Sequence, residues 1–261
     1  VVRERSGALS GILNGVDYDE WNPESDPYLA APYSARDLSG KAICKRELQR
    51  ACGLPERDEV PLIGLVSRLV KQKGIDTLAE ALSRLLELDI QIVLLGAGEP
   101  WAHFYFGGMA ARHPERFACR IGYDNRLAHQ IEAGSDFFLM PSAFEPCGLN
   151  QMYSMRYGSI PIVRATGGLD DSVQNFDPEN GTGTGFKFWD LNAGALFDTV
   201  GWAVHTWYRA PEAIQALRQN VMAKRFTWEE AAAKYEELYR EAVQMRLGAE
   251  RYGELAAGRI G

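Results

Sequence analysis

A chain of 261 residues, 46% hydrophobic and 24% charged, has an ordinary globular composition with room for a sizeable core. Its net charge of −7 argues against a nucleic-acid binder, and no apolar run reaches membrane-spanning length. Cys44, Cys52, Cys119 and Cys147 form no CxxC pair, which suits free thiols in a reducing compartment better than a disulfide framework.

The chain starts at Val1 without Met and reads as a fragment. Gly11–Leu13 predicts a short strand and Asn14-Gly15 a turn. Tyr18–Ala35, rich in Pro, Asp and Tyr, predicts an ordered surface loop. Leu38–Cys52 reads as a helix, with Ser39 a candidate cap and Gly53 its stop. Val60–Val66 is continuous enough for a strand buried in a parallel sheet. Its end delivers Arg68 and Lys73 to a strand-to-helix loop, ahead of an amphipathic helix at Ile75–Leu88. Arg offers phosphate a planar pair of donors and Lys a point charge; the alternative is a pair of solvated surface cations, as Lys71 is read to be.

Ile92–Leu95 is the next strand. The following Gly96-Ala97-Gly98 is not a dinucleotide fingerprint, because Trp101 holds the third glycine's place and Pro100 interrupts it; no cofactor is expected. Ala102–Arg112 reads as a helix with a weak point at Gly107-Gly108. Strand Phe117–Ile121 leads to Gly122-Tyr123, and Asp124 caps a helix running through Glu132.

A strand at Phe137–Met140 ends at Pro141-Ser142, and the loop after it carries Glu145. Pro146-Cys147-Gly148 turns into a helix at Leu149–Tyr157, stopped by Gly158. Strand Ile160–Val163 follows, and Thr166-Gly167-Gly168 opens another helix. This unit places both loops at the carboxyl ends of parallel strands, where open α/β sheets bind ligands. Helix N-termini hold phosphate, and Gly148, Gly167 and Gly168 let backbone amides come close to it. Glu145 does not favour an anion, so it is read as accepting hydrogen bonds from hydroxyls. Carboxylate and amides together suit a sugar nucleotide; the plain alternative is a Gly-rich strand–helix turn with a surface carboxylate.

Phe176–Thr184 reads as a loop, Gly185–Trp189 as a short strand or a loop lining the site, and Asn192–Tyr208 and Pro211–Ala223 as helices. Thr227 and Glu230 form a capping box opening a helix to about Arg246. That helix has an apolar stripe of Trp228, Ala231, Ala232, Tyr235, Leu238, Tyr239 and Ala242. Gly248–Gly261 reads as a frayed tail. His103, His113, His129 and His205 are scattered, His129 reads as structural, and no metal site is expected.

EPCGLNQMYSMRYGSIPIVRATGGLDDSV closely resembles the signature of the bacterial glycogen synthases and plant starch synthases, retaining glucosyltransferases of the glycosyltransferase B fold. The resemblance extends to GILNGVDYDEWNP, GLVSRLVKQKGID, IGYDNRLAHQIEAGSD and FTWEEAAAKYEELYR, in the family's order. It implies a doubly wound, Rossmann-like parallel α/β sheet, the C-terminal half of that fold. It implies a link at residues 1–23, a sugar-nucleotide domain at 24–225 and a crossover helix with tail at 226–261. The implied reaction is glucose transfer from ADP-glucose to an α-1,4-glucan. Arg68 and Lys73 fall on the family's phosphate-binding positions and Glu145 on its sugar-binding carboxylate. Tyr123 falls beside the adenine, and a core tyrosine is the other reading. Asn14 falls near the sugar, and a simple Asn-Gly turn is the other reading. Cys147, Gly148, Leu149, Asn150, Thr166, Gly167 and Gly168 complete the implied donor site.

The family's first domain, with a Lys-Xaa-Gly-Gly loop and a catalytic histidine, has no counterpart here, so the chain alone is expected to be inactive. Many related retaining transferases carry a second Glu where Tyr153 stands, which puts in doubt any role for a second carboxylate. The rivals are a binding module without turnover and a sucrose or trehalose-phosphate synthase. Partners implied are the missing domain and the glucan, with no nucleic acid and no membrane; the compartment is cytoplasmic for a bacterium and plastid for a plant or alga.

Overall fold

The computed structural model describes residues 9–248 and 251. The chain divides into two units, Val1–Asp17 with Phe226–Gly261, and Tyr18–Arg225. The tail expected from Gly248 onward lies almost wholly outside the described residues.

The larger unit is built on six strands: β1 (Leu62–Val66), β2 (Gln91–Gly96), β3 (Phe117–Ile121), β4 (Phe137–Met140), β5 (Ile160–Arg164) and β6 (Phe186–Phe188). They stand in the order β3-β2-β1-β4-β5-β6 and every pairing is parallel. The inner strands are short apolar runs buried on both faces, which is what a parallel sheet covered by helices requires. The order reverses between β1 and β4, which pair at Ile63–Phe137 and Gly64–Phe138. That is the switch point of a doubly wound fold, where the crevice opens at the carboxyl ends.

Helices α1 (Ser39–Ala51), α2 (Ile75–Leu85), α3 (Pro100–Arg112), α4 (Asn125–Gly134), α5 (Asn150–Arg156), α6 (Gly167–Ser172), α7 (Ala193–Arg209) and α8 (Pro211–Ala223) cover the sheet. α2 packs on α3 and α7, whereas α1 packs on α4 and α5 on α8. Of the expected apolar face of α2, Leu78, Leu82, Leu85 and Leu86 are buried in one cluster with Ile63, Leu65, Ile92 and Leu94, Ala79 is partly buried, and Ala81 joins them. Two polar side chains cap as their positions suggest: Asp124 accepts from Leu127 N at 2.9 Å, and Asn192 from Ala195 N at 2.8 Å.

Several expectations are corrected. Gly11–Leu13 is not a strand; three apolar residues without a neighbour to pair with make no ladder. Ser39 does not cap α1. Its amide instead donates to Asp37 Oδ1 at 2.9 Å, and Ser39 is already helical. Gly107-Gly108 does not interrupt α3, which begins two residues earlier than expected, with Pro100 in its first turn. For Gly185–Trp189 the strand alternative holds, with Phe186–Phe188 forming β6, and the stretch does not line the cleft described below.

The Tyr18–Ala35 segment belongs to the larger unit and is anchored in it rather than laid over it. The Trp21 indole lies between the His129 and Tyr153 rings, with both centroids at 3.9 Å. Asp26 Oδ2 meets His129 Nδ1 at 2.7 Å and accepts from Tyr157 Oη at 2.5 Å. Burial raises the Asp26 pKa, but these hydrogen bonds outweigh it and hold the carboxyl below its usual range. Beneath the segment, the buried Lys41 ammonium donates to Ala133 O, Tyr157 O and Ser159 Oγ at 2.9, 2.9 and 3.0 Å. His129 is therefore a packed, structural histidine.

In the smaller unit, Val16 N donates to Phe226 O at 2.7 Å. The expected Asn-Gly turn does not form. Gly15 is required for another reason: a Cβ there would stand 2.4 Å from Trp228 N. Thr227 Oγ1 accepts from Glu230 N at 3.2 Å and opens α9 (Trp228–Leu247). Of that helix only Ala231 is buried, while Trp228, Tyr235, Tyr239 and Val243 are exposed.

Candidate functional site

A cleft of about 440 Å³ opens at the carboxyl ends of β1, β2 and β4, at the switch point. Each strand end brings one part of its wall. β1 contributes Val66, Ser67 and Arg68, then Lys73; β2 contributes Gly96 and Ala97; the loop after β3 contributes Gly122, Tyr123 and Asp124; β4 contributes Pro141, Ser142 and Glu145; the start of α5 contributes Gly148, Leu149 and Asn150.

The β1 loop makes a short 3-10 turn at Lys71–Lys73 and then passes through Gly74, whose φ is +70°. A Cβ at Gly74 would meet Pro141 O at 1.8 Å, so the loop presses directly on the end of β4. The two loops are also bonded to one another. Gln72 O accepts from Ala143 N at 2.9 Å and from Phe144 N at 3.4 Å. Through this contact Lys73 Nζ reaches Glu145 Oε2 and forms an ion pair with it. Ser142 Oγ donates to the same oxygen at 3.1 Å. Glu145 is buried, Lys73 is half-buried and Arg68 is exposed at the mouth.

Asn150 acts through its side chain, with Nδ2 donating to Val66 O at 2.8 Å and so tying the start of α5 to the end of β1. Gly148 has φ +74°, the left-handed turn that lets the loop enter α5. Tyr123 is 90% exposed, so it is not a core tyrosine; its hydroxyl lies 3.4 Å from Asn125 Oδ1.

Within the larger unit, four of the expected residues do not line the cleft: Cys147, Thr166, Gly167 and Gly168. The two glycines let α6 pack closely on the Glu145 loop. A Cβ on Gly168 would lie 2.1 Å from Cys147 O, and one on Gly167 would lie 2.2 Å from Glu145 O. Gly168 N donates to Glu145 O at 3.0 Å and to Pro146 O at 3.1 Å, so that amide is bonded within the protein. Asn14 belongs to the smaller unit and is half-buried there. Among the described residues, no group of three or more His, Cys, Asp or Glu could hold a metal ion, none of the four cysteines is in a disulfide, and no helix is long and apolar enough to cross a membrane.

Sequence reasoning did not single out Ser142, Gln72 or Arg164, all of which hold the Glu145 loop. Their signal is slight, a polar residue at a strand end or in a loop, with no spacing to mark it.

A parallel sheet with cations and a carboxylate gathered in a cleft at its switch point is a doubly wound α/β ligand-binding architecture. The chain belongs to the family described as "Glycosyl transferases group 1", whose model matches residues 53–221. Within it the chain is similar to a protein named glycogen synthase 1 from Geobacter metallireducens, 69% identical over 258 residues, 97% of this chain and 51% of the relative. Another of that name, from Geobacter sulfurreducens, is 70% identical over 248 residues, 95% of this chain and 50% of the relative. Among solved structures, the catalytic domain of starch synthase IV from Arabidopsis thaliana, described as bound to ADP and acarbose, superposes with a TM-score of 0.86 at 40% identity. That match covers 93% of this chain and 51% of the other. The chain spans about half the length of the curated relatives it matches.

Proposed function

We propose that this chain is the donor-binding half of a glycogen or starch synthase, which transfers glucose from ADP-glucose to the end of an α-1,4-glucan with retention. The observation that carries the reading is the convergence of Arg68, Lys73 and Glu145 on one cleft at the switch point, beside the start of α5. Arg68 and Lys73 hold the diphosphate and stabilise the charge that develops on it as the glycosidic bond breaks. The amides from Gly148 to Asn150 face the same anion. Glu145 accepts hydrogen bonds from glucose hydroxyls and orients the anomeric carbon. Tyr123 offers its exposed ring to the adenine.

The acceptor oxygen attacks from the face on which the diphosphate departs, its proton passing to the leaving phosphate oxygen, so no enzyme nucleophile is needed. The acceptor side is supplied by a further domain of the same enzyme, which also covers the exposed stripe of α9, and the enzyme works in the cytoplasm. By itself the chain binds the donor and transfers nothing.

A calorimetric ADP titration of the chain, run beside a glucose-incorporation assay on the full-length protein, tests the reading. Binding by the chain that weakens with salt and transfer by the full-length protein are expected. No ADP binding at low salt overturns the site.

A further inference from the structure

Arg164 closes β5 at the carboxyl edge but does not line the cleft. Its guanidinium instead serves three main-chain carbonyls. Nε donates to Trp189 O at 3.1 Å, and Nη1 donates to Ala143 O at 2.9 Å and lies 3.5 Å from Ser142 O. Ser142 and Ala143 are the residues through which β4 passes into Glu145. Two other contacts hold the same segment: Gln72 O on Ala143 N and Phe144 N, and Gly168 N on Glu145 O. Both are main-chain contacts that survive a side-chain substitution. Lys73 and Ser142 hold the Glu145 carboxylate itself, whereas the main side-chain hold on the backbone ahead of it is that of Arg164, with Gln72 Nε2 adding a longer, exposed bond of 3.3 Å to Phe144 O.

We infer that Arg164 is a positioning residue for the donor sugar, fixing the Glu145 carboxylate through the Ala143 and Ser142 carbonyls. The inference rests on the reading of Glu145 as the acceptor for glucose hydroxyls. Ser142 also donates to Glu145 Oε2, so a shift of its backbone moves the carboxylate and its hydrogen-bond donor together. A planar guanidinium bridges the end of β6 and the Glu145 loop at once. An ammonium, with its donors on one atom, does not span both. Displacing a substrate-orienting group by about 1 Å costs on the order of 10²-fold in rate.

The test is a double-mutant cycle of Arg164→Gln and Glu145→Gln, with Arg164→Lys as the conservative variant. ADP and ADP-glucose affinities are read on the chain, and kcat and glucan KM on the full-length protein. Arg164→Gln is expected to spare ADP affinity and glucan KM, to erase the advantage of ADP-glucose over ADP, and to cut kcat by about 10²-fold. It should add little to Glu145→Gln, because residues acting through one group are not additive. Arg164→Lys should recover little. Additive losses, or equal weakening of ADP and ADP-glucose with a lowered melting temperature, overturn the inference while leaving the role of Glu145 intact. Full recovery by Arg164→Lys overturns it too, since charge alone would then suffice. A harmless Glu145→Gln overturns the reading of Glu145 itself, and the inference with it.

Discussion

Lys73 and Glu145 are each other's counter-ions, with the ammonium resting on Oε2 at the wall of the cleft. Both side chains are largely withdrawn from water, at 19% and 8% exposure, so the pair is screened less than a surface ion pair. The proposed chemistry needs the same two groups in different service: the cation for a departing diphosphate, the carboxylate for a sugar. In the full-length protein Lys73→Ala is therefore expected to lower kcat by about 10²–10³-fold, the cost of a lost oxyanion-type donor. Lys71, two residues away and exposed, does not line the cleft. Lys71→Ala should leave kcat close to wild type, and equal losses at both positions would refute the assignment.

Tyr123 separates binding from folding. Its ring is 90% exposed, so Tyr123→Ala should change stability by no more than about 0.5 kcal/mol. Loss of an aromatic–base stack costs about 1–3 kcal/mol, so ADP should bind roughly 5- to 150-fold more weakly. Calorimetry with ADP, together with a thermal melt of the same variant, reads both numbers. Unchanged ADP affinity would remove Tyr123 from the base site.

Gly74 joins two constraints at one position, a φ of +70° and a missing Cβ that would meet Pro141 O at 1.8 Å. Gly74→Ala is expected to cost about 1–3 kcal/mol for the backbone conformation alone, and more for the collision. It forces the Lys73 loop away from the Glu145 loop, so ADP binding should weaken along with stability. A denaturant titration and an ADP titration on the variant test the two effects.

Glu132 gives a pH dependence with a definite sign. Burial pushes its carboxyl well above the usual 4.5, and its Oε2 has no hydrogen-bond partner. Above pH 4.5 the unfolded chain releases this proton while the folded chain keeps it, so the stability Glu132 contributes at low pH is lost as pH rises. Burial lowers nearby Lys41 to about 7, and its own effect, of opposite sign, enters only above that pH. Glu132→Gln should therefore melt progressively higher than wild type between pH 5 and 7, about 1.4 kcal/mol per pH unit at most. A gap that does not widen over that range would mean the carboxyl ionises normally.

The sheet was legible because each inner strand is a bounded apolar run, as in Ile92–Leu95 and Phe137–Met140, and a parallel sheet buried on both faces admits little else. Where the run was too short to argue from, at Gly11–Leu13, the reading failed. The cleft was half legible. Arg68, Lys73, Glu145 and Tyr123 stand at strand ends, and topology alone brings strand ends together. Gly167 and Gly168 are ambiguous in the sequence, because close approach to a ligand and close approach to another backbone leave the same trace there, and the fold shows the second. Arg164 went unseen because its partners are carbonyls, which every residue has.

The slot that Trp21 occupies bears on where this chain can be cut. With the indole between the His129 and Tyr153 rings, each stack is worth about 0.5–1.5 kcal/mol beyond the area it buries. An excised sheet domain that started at Glu24, a natural choice from the sequence, would leave that slot open and set the His129 imidazole against water. Starting at Tyr18 instead retains the wedge, and the six extra residues decide whether the trimmed domain keeps its α4–α5 flank.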